Sequence, residues 1–243
     1  FVGEAVPEMG QDPTSLFAFA FLRVNMDLKE PLTEIKDEVT FHGGDGRETR
    51  VWAFGTGHGT PVARDGAPQA VSLFRQDGAY AVDLTGGGDG SYELILARLP
   101  RGETLADGCA ALERLRAIGR EQAGFPKPLG AAARLIVPEM AWRVTDEVAA
   151  LKDREVTAPG PWAGRRLESV RPMVELRLDH AGAFVRARAE LPTNGDEPAV
   201  DGEDYPFTRP FLLMLRRRGQ TRPFLVVWVE NDELLMRREG SKP

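Results

Sequence analysis

The chain has 243 residues, 42% of them hydrophobic and 28% charged, with a formal net charge of −6 and a pI near 5.3. That length suits one large domain or two small ones, and the acidic balance argues against a nucleic-acid footprint, which needs a net basic face. The single cysteine, Cys109, excludes an intrachain disulfide, and no apolar run reaches the ~18 residues of a membrane-spanning helix.

Strand signals dominate from the start. Residues 16–24 (LFAFAFLRV) form a short, nearly continuous apolar run, the pattern of a strand buried on both faces. Residues 38–54 read as a hairpin whose arms flank Gly43-Gly44-Asp45-Gly46, a turn suited to positive φ. Three more strands follow at 70–74, 79–84 and 92–99. Their turns are Gln76-Asp77-Gly78 and the glycine-rich stretch 85–90. Residues 104–120 read as the one clear helix, with Leu105, Cys109, Leu112, Leu115 and Ile118 as its apolar stripe and Thr104 with Asp107 as its cap. Cys109 is assigned to the core. Residues 131–144 read as extended, 146–154 as a short helix and 159–164 as loop.

The last third carries a distinctive order. Residues 167–178 form a strand, with Val174, Leu176 and Leu178 on one face and Glu175 and Arg177 on the other. Residues 179–182 break it, and alternation then resumes: Ala183, Val185, Ala187 and Ala189 against Phe184, Arg186, Arg188 and Glu190. A stretch rich in Pro, Gly and acids, about 190–206, reads as an exposed loop. Two apolar strands close the chain at 211–215 and 224–229, joined by a basic turn that includes Gly219. The runs Arg216-Arg217-Arg218 and Arg237-Arg238 read as solvated turn or edge residues.

Catalytic patterns are not found by spacing. His42, His58 and His180 are far apart in sequence, and one cysteine cannot build a thiolate cluster. No Gly-x-Ser-x-Gly elbow occurs, and the 85–90 glycines lack the Lys-Ser/Thr of a phosphate-binding loop. The acidic stretch 201–204 lacks the spaced ligands of an EF-hand. The reading assigns no catalytic residue, no metal site and no cofactor.

The order of these strings resembles the C-terminal two-thirds of a serpin. Residues 12–32 (DPTSLFAFAFLRVNMDLKEPL) resemble the central serpin strand and its following Lys-Trp-x-x-Pro-Phe string, with Leu28 in the place of the tryptophan and Pro31-Leu32 at the end. Phe41-His42 and Asp45-Gly46 stand where serpins carry Phe-His and a hairpin. Residues 92–100 (YELILARLP) and 135–142 (LIVPEMAW) resemble the Leu-Pro and Leu-Pro-Lys-Phe strands. Residues 178–182 (LDHAG) lie at the hinge position, 205–212 (YPFTRPFL) at the Phe-x-x-x-x-Pro-Phe-Leu signature, and 224–231 (FLVVWVEN) at the final strand.

The resemblance implies an α+β, strand-rich serpin-like fold over 1–243, with mixed and antiparallel sheets and few helices, and without the N-terminal helical part of a serpin. It implies a hinge at Gly182, Ala183, Phe184, Val185, Arg186 and Ala187. A reactive-loop-like segment follows at Glu190, Leu191, Pro192, Thr193, Asn194, Gly195, Asp196 and Glu197. Inhibitory serpins follow the hinge glycine with small residues, which lets the cleaved loop enter the main sheet by strand addition. Here Phe184, Arg186 and Arg188 add bulk, and Pro172 replaces a histidine that supports sheet opening. The expected function is a non-inhibitory interaction or scaffold protein whose partner is a protease or a companion chain covering the sheet. The alternatives are a suicide inhibitor of a serine or cysteine protease, and an enzyme on an unrelated β-rich fold.

Overall fold

The computed structural model describes residues 15–22, 26–27, 32–56, 63–64, 67–68, 70–86, 91–122, 124–130, 133–144, 149–157, 159–160, 163–180, 182–183 and 203–238. The first strands are β1 (Ser15–Leu22), the two-residue β2 (Met26–Asp27), β3 (Thr33–His42) and β4 (Glu48–Gly55). Short pieces β5 (Ala63–Arg64) and β6 (Ala67–Pro68) lead to β7 (Val71–Gln76), β8 (Ala79–Asp83) and β9 (Tyr92–Arg98). Helix α1 (Leu105–Gln122) follows, then β10 (Lys127–Pro128), β11 (Arg134–Pro138), β12 (Met140–Val144) and β13 (Arg166–Leu178). The last strands are β14 (Gly182–Ala183), β15 (Asp204–Pro206), β16 (Phe211–Arg217) and β17 (Pro223–Val229).

The chain divides into two compact units. One comprises residues 1–24 and 142–176, the other 25–141 and 177–243. In the first, β1 and β13 pair in parallel from Ser15 opposite Arg166 to Leu22 opposite Val174, with one irregularity after Leu16. Their sheet has the order β1-β13-β12, so β13 is central and has a neighbour on each side. Pro172 lies in this central strand opposite Ala20. It brings no N–H to the ladder, an unusual place for proline.

The second unit holds a six-stranded sheet, β10-β7-β8-β9-β16-β17, and a four-stranded sheet, β15-β11-β4-β3. The turns form where their residue types allow. Asp77 and Gly78 take φ of 50° and 78°, which fits the two-residue link between antiparallel β7 and β8. Gly46 and Gly219 take φ of 82° and 78° in the β3–β4 and β16–β17 turns. The six-stranded sheet buries both faces. Ala81, Ile95, Ala97, Leu212 and Met214 pack under α1 with Leu112, while Tyr80, Val82, Leu94 and Leu213 are buried on the alternate positions.

Helix α1 begins as its sequence predicts. The Thr104 hydroxyl accepts from the Asp107 N–H, and the Asp107 carboxylate accepts from the Thr104 N–H at 2.9 Å, a reciprocal capping box. Its buried stripe differs from the predicted one. Leu105 and Ile118 are exposed and Cys109 is only half-buried, whereas Gly108, Leu112, Arg116 and Gly119 are buried. The reason is close approach to the sheet. A Cβ on Gly119 would stand 3.0 Å from Phe74 Cβ and 3.2 Å from the Leu73 carbonyl, so glycine is needed there, while Leu112 and the charge-paired Arg116 fill more of the contacting face.

Two other expectations change. Within 149–154 the chain makes only a single 3-10 turn, Ala149–Leu151, rather than a helix. Residues 204–206, assigned to the exposed loop by composition, form β15, and Tyr205 is fully buried.

Candidate functional site

The resemblance implies a loop between β14 and β15, so the described residues on either side of that segment define the candidate site. Of the predicted hinge, Gly182 and Ala183 are described. Phe184, Val185, Arg186 and Ala187 lie outside the described residues, as do Glu190, Leu191, Pro192, Thr193, Asn194, Gly195, Asp196 and Glu197.

At the departing end, β13 alternates as its sequence predicts, with Leu176 and Leu178 buried and Arg177 exposed. Asp179 is buried and pairs with the Arg177 guanidinium at 3.2 Å. The His180 carbonyl accepts from the Leu32 N–H at 2.7 Å, which turns the chain. Gly182 and Ala183 then pair antiparallel with Asp27 and Met26, so the start of the hinge extends β2. Glu139 lies close to this turn. Burial, and then the Asp179 charge, raise its carboxyl above the usual 4.5, with His180 opposing them.

The returning end is clamped more heavily. β15 runs parallel to β11, with Tyr205 opposite Leu135, and backbone bonds from Arg134 N to the Glu203 carbonyl and from Phe207 N to the Ile136 carbonyl extend the pairing. Pro206 sits on the sheet edge, where a missing N–H costs nothing. Tyr205 donates to Glu203 Oε2 at 2.6 Å, Ser72 Oγ lies 3.1 Å from the same phenol oxygen, and Lys127 Nζ holds Glu203 Oε1 at 3.0 Å. Burial, reinforced by the Glu203 bond, pushes the Tyr205 phenol up to about 12. The same bond is the main cause holding the Glu203 carboxyl below its ordinary range.

Above this, Tyr80 donates to the Pro206 carbonyl at 2.5 Å, and Arg75 Nη1 donates to the Asp204 carbonyl at 2.5 Å. Tyr80 packs edge-on against Tyr205 and Phe207 at 5.5 and 5.3 Å, and Phe207 against Phe211 at 5.4 Å. Each such pair contributes about 0.5–1.5 kcal/mol beyond its burial, so residues 205–211 form a rigid aromatic seam. The composition of 190–206 conceals this seam. The usable sequence signal is the spacing of Tyr205, Phe207 and Phe211 past the last acids.

A second polar cluster, missed by the sequence reading, lies where β9, α1 and β16 meet. Arg216 is buried, not solvated: its Nε meets Glu93 Oε2 at 2.5 Å and its Nη1 meets Glu113 Oε1 at 2.8 Å. Arg116 reaches Glu93 at 3.7 Å and Glu113 at 3.2 Å. Arg218 reaches Asp83 and Glu93, each at 3.4 Å. Asp83 accepts from the Thr85 N–H at 2.9 Å and also from the Thr85 hydroxyl, yet burial still raises its carboxyl. Every one of these carboxylates is engaged by a guanidinium, the arrangement of a structural network. Among the described residues, no group of three His, Cys, Asp or Glu side chains is placed to hold a metal ion, and no helix is long and apolar enough to cross a membrane.

No protein-family model matches the chain, and no curated protein sequence matches it. Solved structures do resemble its fold. A highly specific serpin of the insect Tenebrio molitor matches 85% of this chain and 53% of its own, with a TM-score of 0.53 and 10% identity. A serpin of the trematode Schistosoma haematobium matches 88% and 56%, with a TM-score of 0.54 and 13% identity. Thyroxine-binding globulin in complex with thyroxine matches 84% and 53%, with a TM-score of 0.52 and 14% identity. The chain thus spans about half the length of the solved structures it matches. Its strand-rich architecture of mixed and antiparallel sheets with one helix among the described residues is a serpin-like fold.

Proposed function

We propose that the chain is a non-inhibitory serpin-like interaction protein, which presents the segment after β14 to a protein partner and does not insert it into the sheet of β13. The observation that carries this reading is the closed flank of β13. The strand that leads into the hinge has β1 on one side and β12 on the other, so any segment added beside it must first part an existing pair. A wedged strand would regain backbone bonds on both of its edges, so side chains decide the balance. One face of the 183–190 segment is small (Ala183, Val185, Ala187, Ala189). The other carries Phe184, Arg186, Arg188 and Glu190, and Pro172 leaves one ladder position without a donor. The reading assigns the protein no catalytic residue, and the partner is a protease or a companion chain.

The small alternate face favours a second reading, a suicide inhibitor of a serine or cysteine protease. Incubation with a panel of proteases separates the two. The first reading expects cleavage within 190–202 and free protease on a denaturing gel. A covalent complex that survives SDS overturns it and establishes the second.

A further inference from the structure

The two main sheets of the second unit end on four strands, and three of those edges are blunted. β10 has two residues, Lys127 and Pro128, and β15 has three, with Pro206. β3 exposes Glu34, Lys36, Asp37 and Glu38, and its pairing with β4 is irregular between Ile35 and Val39. Arg238 also covers the Lys36 and Asp37 carbonyls at 2.9 and 3.3 Å. Short strands, charges, prolines and bulges are what stop one sheet from joining another. β17 (PFLVVWV) has no charged residue, and its one proline stands first. Phe224 is 36% exposed, and Leu225, Val226, Val227 and Trp228 are half-buried. Among the described residues, β16 is the only strand paired with β17, and that pairing is regular from Leu225 to Val229. Beside this edge α1 leaves Leu105 exposed, in one cleft with Trp228.

The charges at the two ends of β17 select the occupant. Arg222, just before the strand, is exposed and makes no ion pair among the described residues. Glu230, Asp232 and Glu233 follow the strand. Glu230 gives one oxygen to Arg101 and to the Trp228 indole, and its other oxygen has no partner among the described residues. An identical strand laid antiparallel satisfies this pattern twice, because the basic end of each meets the acidic end of the other. A parallel copy would set like ends together. Centring the pair on Val227 uses the whole regular stretch, with Val227 facing its own copy and Val226 facing Trp228 of the second copy. Such a two-fold contact closes at two chains. We propose that β17 is a dimer interface, pairing antiparallel with β17 of a second copy and joining two six-stranded sheets into one. The inference does not use the segment after β14 and stands apart from the interaction reading.

In sedimentation of the intact chain over a concentration series, the mass is expected to rise from 26.7 kDa to twice that value. Arg222→Glu sets like charges together at both ends. It is expected to weaken dimerisation at least fivefold, an effect that shrinks in ~1 M NaCl. Arg114→Glu, the same charge change on the exposed side of α1, leaves dimerisation unchanged. In a Cys109→Ser background, Val227→Cys is expected to form an interchain disulfide under mild oxidation, because directly opposed residues lie within reach of one. Lys36→Cys, on the edge of β3, forms none. A chain that stays at 26.7 kDa at every concentration leaves this edge to a different partner and overturns the proposal. So does a dimer untouched by Arg222→Glu, or one linked at residue 36 and not at residue 227.

Discussion

Substituting Arg216 by Met tests the buried network at its centre. Arg216 and Glu93 are each 7% exposed, and their contact at 2.5 Å is the shortest of the Glu93 ion pairs. Removing one partner of a buried pair costs about 3–5 kcal/mol, because the other charge is left in a poorly solvating interior. Glu93 keeps Arg218 at 3.4 Å and Arg116 at 3.7 Å, which places the expected loss at the low end, about 3 kcal/mol. For a chain of this size that corresponds to a fall in Tm of about 6–12 °C. Denaturant unfolding at low salt and in ~1 M NaCl is the assay. A buried pair is little screened, so the loss persists at high salt. Arg217→Met, one residue away but exposed, stays within about 0.5 kcal/mol of the parent. Combining Arg216→Met with Glu93→Met recovers at least half of the loss, since neither charge is then stranded. A cost below about 1 kcal/mol for Arg216→Met, or one abolished by salt, would refute the buried network and restore the reading of 216–218 as a solvated turn.

Other outcomes follow from the same geometry. Gly55→Ala is expected to destabilise by at least about 3 kcal/mol in denaturant unfolding, because its Cβ would overlap the Leu135 main-chain carbonyl, which pairing fixes in place. Glu139→Gln tests the pH dependence. The Glu139 carboxyl is raised in the folded state by burial and by Asp179, so the folded chain holds that proton at pH values where the unfolded chain has released it. Its contribution therefore favours folding below the ordinary value of 4.5 and is lost as pH rises toward the folded value. Glu139→Gln is expected to be more stable than the parent at neutral pH, with the difference closing by about pH 4 in melting curves. A constant difference across that range would contradict the assignment.

The strands were legible in the sequence wherever turn chemistry and period agreed. The hairpin around residues 43–46, the short turn at Asp77 and Gly78, and the alternation of 176–178 each carry a local signal that tertiary contacts reinforce. The misplaced buried residues share one cause, which is burial that hydropathy does not encode. Gly119 is buried because it is small enough for close packing against Phe74 and Leu73, not because it is apolar. Arg116 and Arg216 are buried because Glu93 and Glu113 meet them from other elements. Tyr205 is buried inside a stretch of acids and prolines because its hydroxyl finds Glu203 and Ser72.

Once cut, the segment after β14 either stays outside the sheet of β13 or enters it. Amide hydrogen exchange on β1 and on residues 183–190, measured before and after cleavage within 190–197, separates these outcomes directly. Unchanged exchange is expected in both, because β1 stays paired with β13 from Ser15 to Leu22 and the cut segment adds no strand. Strong new protection across 183–190 after cleavage, together with a large rise in Tm, would contradict it.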